Sequence, residues 1–234
     1  MRLSKIFEHL THNTLSHLSI GSDDIGEISL DNYPKLITLV NAGMVELYTQ
    51  FALRTRDLTL QLWDGQNIYP LTSDYAESNT ESLETKHILD ATTVYKFTDN
   101  IIVVDEVYNE IGGKVPLNDL HSDSSVFTPS PTVLQVPYTS RENILSIIYR
   151  ALPDEIDTSL LDSSTEEVDL PYHFMEALTS FIAWKIYTPT DGADNPKGRI
   201  HQGNYLSALQ VIKNTGTAIE DNFTNTRFGD NGWL

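Results

Sequence analysis

Apolar positions keep a helical period at both ends of this chain and an alternating period in its middle. Leu3, Ile6, Phe7 and Leu10 stand at i, i+3, i+4 and i+7, which is one helical face and predicts a short opening helix. A polar, glycine-containing run from Ser19 to Gly26 follows. The next helix is predicted over about Pro34–Leu53, with Pro34 suited to its first turn. Leu36, Leu39, Val40, Gly43, Leu47 and Phe51 form its stripe. Gly43 either lets another helix approach closely or is simply a tolerated small residue.

The period then changes to two. Leu58, Leu60 and Leu62 alternate with Thr59 and Gln61, Asp64-Gly65 supplies a turn, and Asn67–Leu71 returns, which together predict a hairpin. Residues 73–87 are polar without apolar period and read as a loop or a poorly ordered excursion. Ile101–Val107 predicts a strand, Gly112-Gly113 turns into Lys114–Leu117, and Val133–Val136 and Ile144–Tyr149 add two short β segments. The acidic stretch 152–169 reads as a solvated connector.

Helical period resumes at Pro171 and runs to about Tyr187 through Phe174, Ala177, Leu178, Phe181, Ile182 and Ile186, with Trp184 on an adjoining face and Pro189 as the stop. After the polar loop Thr190–Gly198 a last helix begins near Arg199, with Tyr205, Ala208, Leu209, Ile212 and Ile219 on its buried side. No internal repeat or low-complexity tract interrupts the pattern. The expected fold class is α+β: a helical-bundle body built from residues 1–55 and 151–221, a β-rich insertion lobe over 56–150, and an extended C-terminal tail over 222–234.

Charge sharpens the picture. The 234 residues carry 33 acids against 15 bases, a formal charge of −18. Residues 56–170 hold 21 of the acids and 6 of the bases, so the excess is concentrated in the middle. Such a surface repels phosphates and membrane headgroups, which argues against tight nucleic-acid binding but suits a channel through which DNA slides without sticking. It also serves plain solubility. Cysteine is absent, which removes disulfides, thiolate catalysis and cysteine-based zinc sites. The N-terminus is too polar for a signal peptide and no apolar run reaches membrane-spanning length, so a soluble chain made in a cytoplasm is expected.

Catalytic signatures are missing. His9, His12 and His17 cluster, but Glu8 is the nearest carboxylate and a shared metal is not expected there. His87, His121, His173 and His201 are scattered and read as ordinary surface or partly buried histidines. The Asp191–Asp194 loop lacks the alternating acids and distal glutamate of a calcium loop. Gly112-Gly113-Lys114 is followed by Val115 and Pro116, not by the hydroxyl residue and helix of a phosphate loop. No nucleophile elbow or dinucleotide fingerprint occurs, and nothing pairs two acids of 152–169 across a cleft. No enzyme activity, cofactor or metal is expected.

Three stretches resemble the head-to-tail adaptor (connector or neck) proteins of tailed bacteriophages, especially podovirus-like ones. They are LITLVNAGMVELYTQFAL at 36–53, IIVVDEVYNEIGGKVPL at 101–117 with VLQV at 133–136, and LPYHFMEALTSFIAWKIY at 170–187 leading to RIHQGNYLSAL. The resemblance is one of pattern and element order. It implies a non-enzymatic virion protein, assembled in the host cytoplasm, that forms a ring, generally a dodecamer, beneath the portal. That ring would extend the channel for passing DNA and dock the next tail or nozzle protein, without membrane contact. It also implies that the C-terminal segment reaches the portal, with Phe223, Arg227, Phe228, Trp233 and Leu234 as the contacting residues; the alternative is a tail folded back on its own subunit. Aromatic side chains suit such anchoring because they bury large area with few rotors to fix. A rival from another class is a tail-associated receptor- or glycan-binding accessory module, which needs exposed aromatics on the β lobe, with Trp63, Tyr69 and Tyr95 as candidates. A hydrolase using acids of 152–169 is the third.

Overall fold

A computed structural model describes residues 1–14, 28, 30–137, 143–159, 166–188 and 196–215. Among these are four α-helices, α1 (Leu3–His9), α2 (Tyr33–Gln50), α3 (Met175–Tyr187) and α4 (Pro196–Thr215). Seven strands join them: β1 (Thr55–Gln61), β2 (Ile68–Pro70), β3 (Ile101–Asn109), β4 (Lys114–Val115), β5 (Phe127–Ser130), β6 (Val133–Gln135) and β7 (Ile144–Ala151). The chain divides into two compact units, Met1–Leu53 with Asp154–Leu234, and Arg54–Pro153.

The expected helical-bundle body is overturned. The chain is mixed α and β, its helices are few, and two antiparallel sheets are a major component of it. The reason lies in how little the outer helices bury. α1 stops after seven residues, and α4 buries only Gly198, Tyr205, Ala208, Leu209 and Ile212 of its twenty. Only α3 is buried on nearly all sides.

Within the helix-bearing unit, α3 packs against α2 and α4. Gly43 sits where α2 meets α3: a Cβ there would stand 2.5 Å from Leu178 Cδ1 and 3.0 Å from Phe181 Cδ1. Close approach is therefore what this glycine permits. Aromatic edges tie the layer together, Phe51 on Phe174 at 5.1 Å and Phe181 on Tyr205 at 5.5 Å. The acidic stretch is not a plain solvated connector. Asn41 clamps the backbone of Ile156 through both its N–H and its carbonyl, and Ile156, Val168 and Leu170 are buried. Residues 1–3 and 166–168 add a short backbone ladder.

The other unit holds a four-stranded sheet in the order β1-β7-β3-β4 and a three-stranded one in the order β2-β6-β5. β7 alternates cleanly, with Leu145, Ile147, Tyr149 and Ala151 inward. β3 buries Ile101, Val104 and Val107, a spacing of three that an unbroken strand cannot give. Register shifts after Ile101 and after Val104 supply the extra residues.

The predicted hairpin does not form. β1 pairs with β7 (Leu60 opposite Leu145) and β2 with β6 (Tyr69 opposite Leu134), in different sheets. A two-residue hairpin turn of type I′ needs positive φ at both central residues, and only Gly65 of Asp64-Gly65 has it. The Tyr69 hydroxyl closes the turn instead, accepting from the Trp63 N–H at 2.8 Å.

Candidate functional site

A recess of the β unit lies beside β1 and β7, under the loop 89–97. It encloses about 370 Å³, within the range of small-ligand pockets, with Arg56, Thr59, Asp90, Tyr95, Lys96 and Tyr149 among its lining residues. Asp90 builds the loop. Its carboxylate accepts from the Ser78 N–H at 2.8 Å, the Ser78 hydroxyl and the Phe97 N–H at 3.0 Å. Burial works to raise its pKa, but these hydrogen bonds and the Lys96 ammonium outweigh burial and hold the carboxyl below its usual range. Lys96 Nζ donates to the carbonyls of Asp90 and Ala91 at 2.9 and 2.7 Å.

Arg56 places its guanidinium 4.7 Å from the centre of the Tyr95 ring. At the recess wall, the Tyr149 hydroxyl donates to Asn100 Oδ1 at 3.2 Å, and burial pushes its pKa up to about 12. That phenol keeps its proton at any ordinary pH. Asp90 is committed to its three donors and Lys96 to two carbonyls. The lining sets the Tyr95 ring and the Arg56 guanidinium together at one recess of small-ligand size.

His87 lies buried beside this loop, stacked on Tyr75 at 4.6 Å and edge-on to Tyr69 at 5.4 Å. Its Nε2–H donates to the Pro70 carbonyl at 2.7 Å. Burial lowers its pKa, although the carbonyls of Pro70 and Thr85 pull the other way. The ring is neutral and structural, more deeply buried than its scattered position in the sequence suggested. His201 behaves similarly: it stacks on Tyr187 at 5.1 Å, and burial, then Lys197, lower its pKa.

The aromatics expected of a glycan reader separate. Trp63 and Tyr95 are exposed, at 47% and 68%, but Tyr69 is fully buried and holds the 63–66 turn. Of the histidine cluster, His12 Nδ1 meets the Glu8 carbonyl at 2.9 Å, while His17 lies outside the described residues. No group of three metal-ligating side chains occurs among the described residues. No helix among them is long and apolar enough to cross a membrane. The Gly112-Gly113 turn lies between β3 and β4, where Lys114 pairs with Glu106 at 2.6 Å; that carboxylate also accepts the Tyr108 hydroxyl at 2.6 Å. Asp157 accepts from the backbone and hydroxyl of Ser159, with no second carboxylate at that pair of contacts.

Phe223, Arg227, Phe228, Trp233 and Leu234 lie outside the described residues, as does the Asp191–Asp194 loop. Sequence reasoning also passed over the Asp90 loop, because residues 73–87 carry no apolar period and 88–97 follow them without a predicted element. The one available signal was the chain of Asx and Ser positions that can hydrogen-bond locally. No protein-family model matches the chain, and no curated protein matches its sequence.

Proposed function

We propose that this chain is a structural head-to-tail adaptor of a tailed bacteriophage, acting without catalysis. It forms a ring, a dodecamer on the family resemblance, below the portal of the virion. The ring extends the DNA channel and receives the tail or nozzle protein. The observation that carries the reading is the order of parts. The α-helices come from the two ends of the chain, and all seven strands from one continuous middle segment, Arg54–Pro153. That segment begins and ends on paired strands, Thr55 opposite Arg150, as an inserted lobe requires. The middle of the chain is also its acidic part, which suits a surface that DNA passes without adhering.

The test is negative-stain microscopy of the purified chain mixed with the portal ring of the same genome. A ring stacked coaxially on the portal is expected, and truncation at Asn222 is expected to weaken the stacking if the tail anchors it. Persistent free monomers beside intact portals would remove the direct-docking claim. The accessory-module reading draws on Tyr95 and Arg56 at the recess. Binding of a neutral oligosaccharide that Tyr95→Ala abolishes would favour it.

A further inference from the structure

β1 is an outer strand of its sheet, and its free edge is covered along only part of its length. The even positions turn toward β7. Just past one end of β1 the Leu62 N–H donates to the Asn143 carbonyl at 2.7 Å, and just before the other the Arg54 carbonyl accepts from the Ala151 N–H at 2.9 Å, both in the register that sets Leu60 opposite Leu145. The backbone groups of the odd positions therefore point away from the sheet. Toward the end of β1 they are met: the Gln61 N–H donates to the His87 carbonyl at 2.8 Å, the Thr59 carbonyl accepts from the Leu89 N–H at 2.9 Å, and Leu60 is bridged antiparallel to Ile88. Toward its start they are not. The N–H and carbonyl of Asp57 and of Thr55 meet no backbone partner among the described residues, and both residues are exposed.

The segment that covers the edge leaves it after Leu89 and is held away from the rest. The Thr93 N–H and hydroxyl close on the Asp90 carbonyl at 3.2 and 2.8 Å, and the Lys96 ammonium ties the carbonyls of Asp90 and Ala91, so 90–96 is folded into turns. The recess lies in the gap this leaves. Four consecutive residues of β1, 56–59, are in its lining. Successive side chains of a strand point to opposite faces, so one cavity touches four in a row only along the backbone edge. The recess and the open groups of Asp57 are one place, and the loop that would otherwise close over them is already committed.

We propose that this edge takes an extended segment of another polypeptide as an added antiparallel strand, in line with 87–89, carrying a base opposite Asp57 and an aromatic residue next to it, opposite Arg56. The residue facing Asp57 exchanges two backbone hydrogen bonds with it, and the residue facing Thr55 exchanges two more. Alternation then assigns the side chains. Leu58 and Leu60 are buried, so Asp57 belongs to the other, exposed face, and its carboxylate forms no ion pair among the described residues. A base across from it on that face neutralises it, and the excess of acids over 56–170 attracts a basic segment to begin with. The next side chain turns to the buried face and enters the recess beside Phe97 and the Tyr95 ring. Tyr95 is 68% exposed, and an incoming ring covers it. The inference goes beyond the adaptor reading and stands without it, since it needs only a second polypeptide.

The test titrates the full chain, labelled with nitrogen-15, with the synthetic peptide acetyl-Thr-Val-Lys-Phe-Thr-Gly-amide and follows backbone amides by NMR. The expected result is a saturable shift at residues 55–59 and 94–97, with exchange of the Asp57 amide slowed in the bound state. Methylating the lysine nitrogen of the peptide removes the donor to the Asp57 carbonyl without touching the protein, and should weaken binding at least about tenfold. Glutamate in place of that lysine should weaken it several-fold, and Asp57→Lys, a change at an exposed position, should restore binding of the glutamate peptide. No shift at 55–59 with the unmodified peptide overturns the proposal and leaves Arg56 as an inward-pointing charge that keeps the edge empty. Equal binding of the methylated peptide overturns it too, because strand addition cannot survive that loss. Shifts at 94–97 produced by maltohexaose and not by the peptide would overturn it in favour of a glycan site. None of these outcomes bears on stacking with the portal, so the adaptor reading fails or holds separately.

Discussion

Individual residues here owe their effects to whether anything stands beside them. The two helical glycines make the contrast sharp. At Gly43 a methyl group would meet the side chains of Leu178 and Phe181, both buried. Overpacking of that kind costs about 1–3 kcal/mol, against a helix-propensity gain of up to about 1 kcal/mol. Gly43→Ala should therefore lose roughly 1 kcal/mol in urea unfolding. The same substitution at Gly203 meets open space and should gain about 0.5–1 kcal/mol. Equal signs for the two would show that packing at α2–α3 is looser than these distances describe. His87 gives a pH-dependent counterpart. Its folded pKa is depressed below the unfolded value, about 6.5. Between the two values the unfolded chain binds a proton that the native ring does not, so stability falls as pH drops below about 6.5 and levels off under the folded pKa. His201 contributes in the same direction. In calorimetry the melting temperature should fall from pH 7.5 to pH 5.5, and His87→Gln should shrink that difference even if it lowers both values.

At the scale of elements, the Asp90 loop shows how much of a polar segment can be ordered by one side chain. Three donors converge on the Asp90 carboxylate, and hydrogen bonds to a charged group contribute about 1.5–3 kcal/mol each in isolation but overlap when they share one acceptor. Asp90→Ala should cost about 3 kcal/mol, and hydrogen exchange should show protection lost across residues 78–97 while β3 and β7 keep theirs. Loss spread evenly over the sheet would mean that the loop and strands open together. This loop was also the least legible part of the sequence. A helix or strand announces itself by apolar period, which is why α2, α3, β3, β6 and β7 were found within a few residues. Partner choice leaves no such trace. β1 and β2 read as a hairpin because Asp64-Gly65 is a turn pair, but Asp64 keeps a negative φ and Tyr69 closes the turn, so the strands part. β3 hid its inward face behind two bulges. Pro196 opens α4 a turn before Arg199 because a first-turn proline needs no N–H partner. The bundle expectation failed for a related reason: period shows that a face is apolar, not how many neighbours cover it. For the candidate site, the tail anchors came from the family resemblance and lie outside the described residues, whereas the recess depends on Asp90 and Tyr149, distant in sequence, lining one cavity.

For the whole molecule, the strongest consequence of the two-unit division concerns autonomy. Every member of the β unit's core cluster lies between Leu58 and Ala151, including Tyr69, Ile88, Val107, Leu134 and Ile147. That core is drawn from one continuous segment of the chain. Its ends are also favourable: Ala151 donates its N–H to the Arg54 carbonyl at 2.9 Å, so the chain enters and leaves on hydrogen-bonded neighbours. Antiparallel partners stand about 5 Å apart, so excision leaves two termini side by side and strains neither strand. At 100 residues, Arg54–Pro153 has the size at which a single core commonly sustains a domain. Expressed by itself, this segment should unfold in one cooperative calorimetric transition with an enthalpy of about 60–80 kcal/mol. The Tyr149 hydroxyl should remain unionised past pH 10 in a spectrophotometric titration, because its raised pKa of about 12 comes first from burial inside this unit. A segment that melts without a heat-absorption peak, or whose tyrosines all ionise near pH 10, would show that the core needs the helix-bearing unit after all. A single cooperative transition with the raised tyrosine titration would make Arg54–Pro153 a self-folding part of the chain.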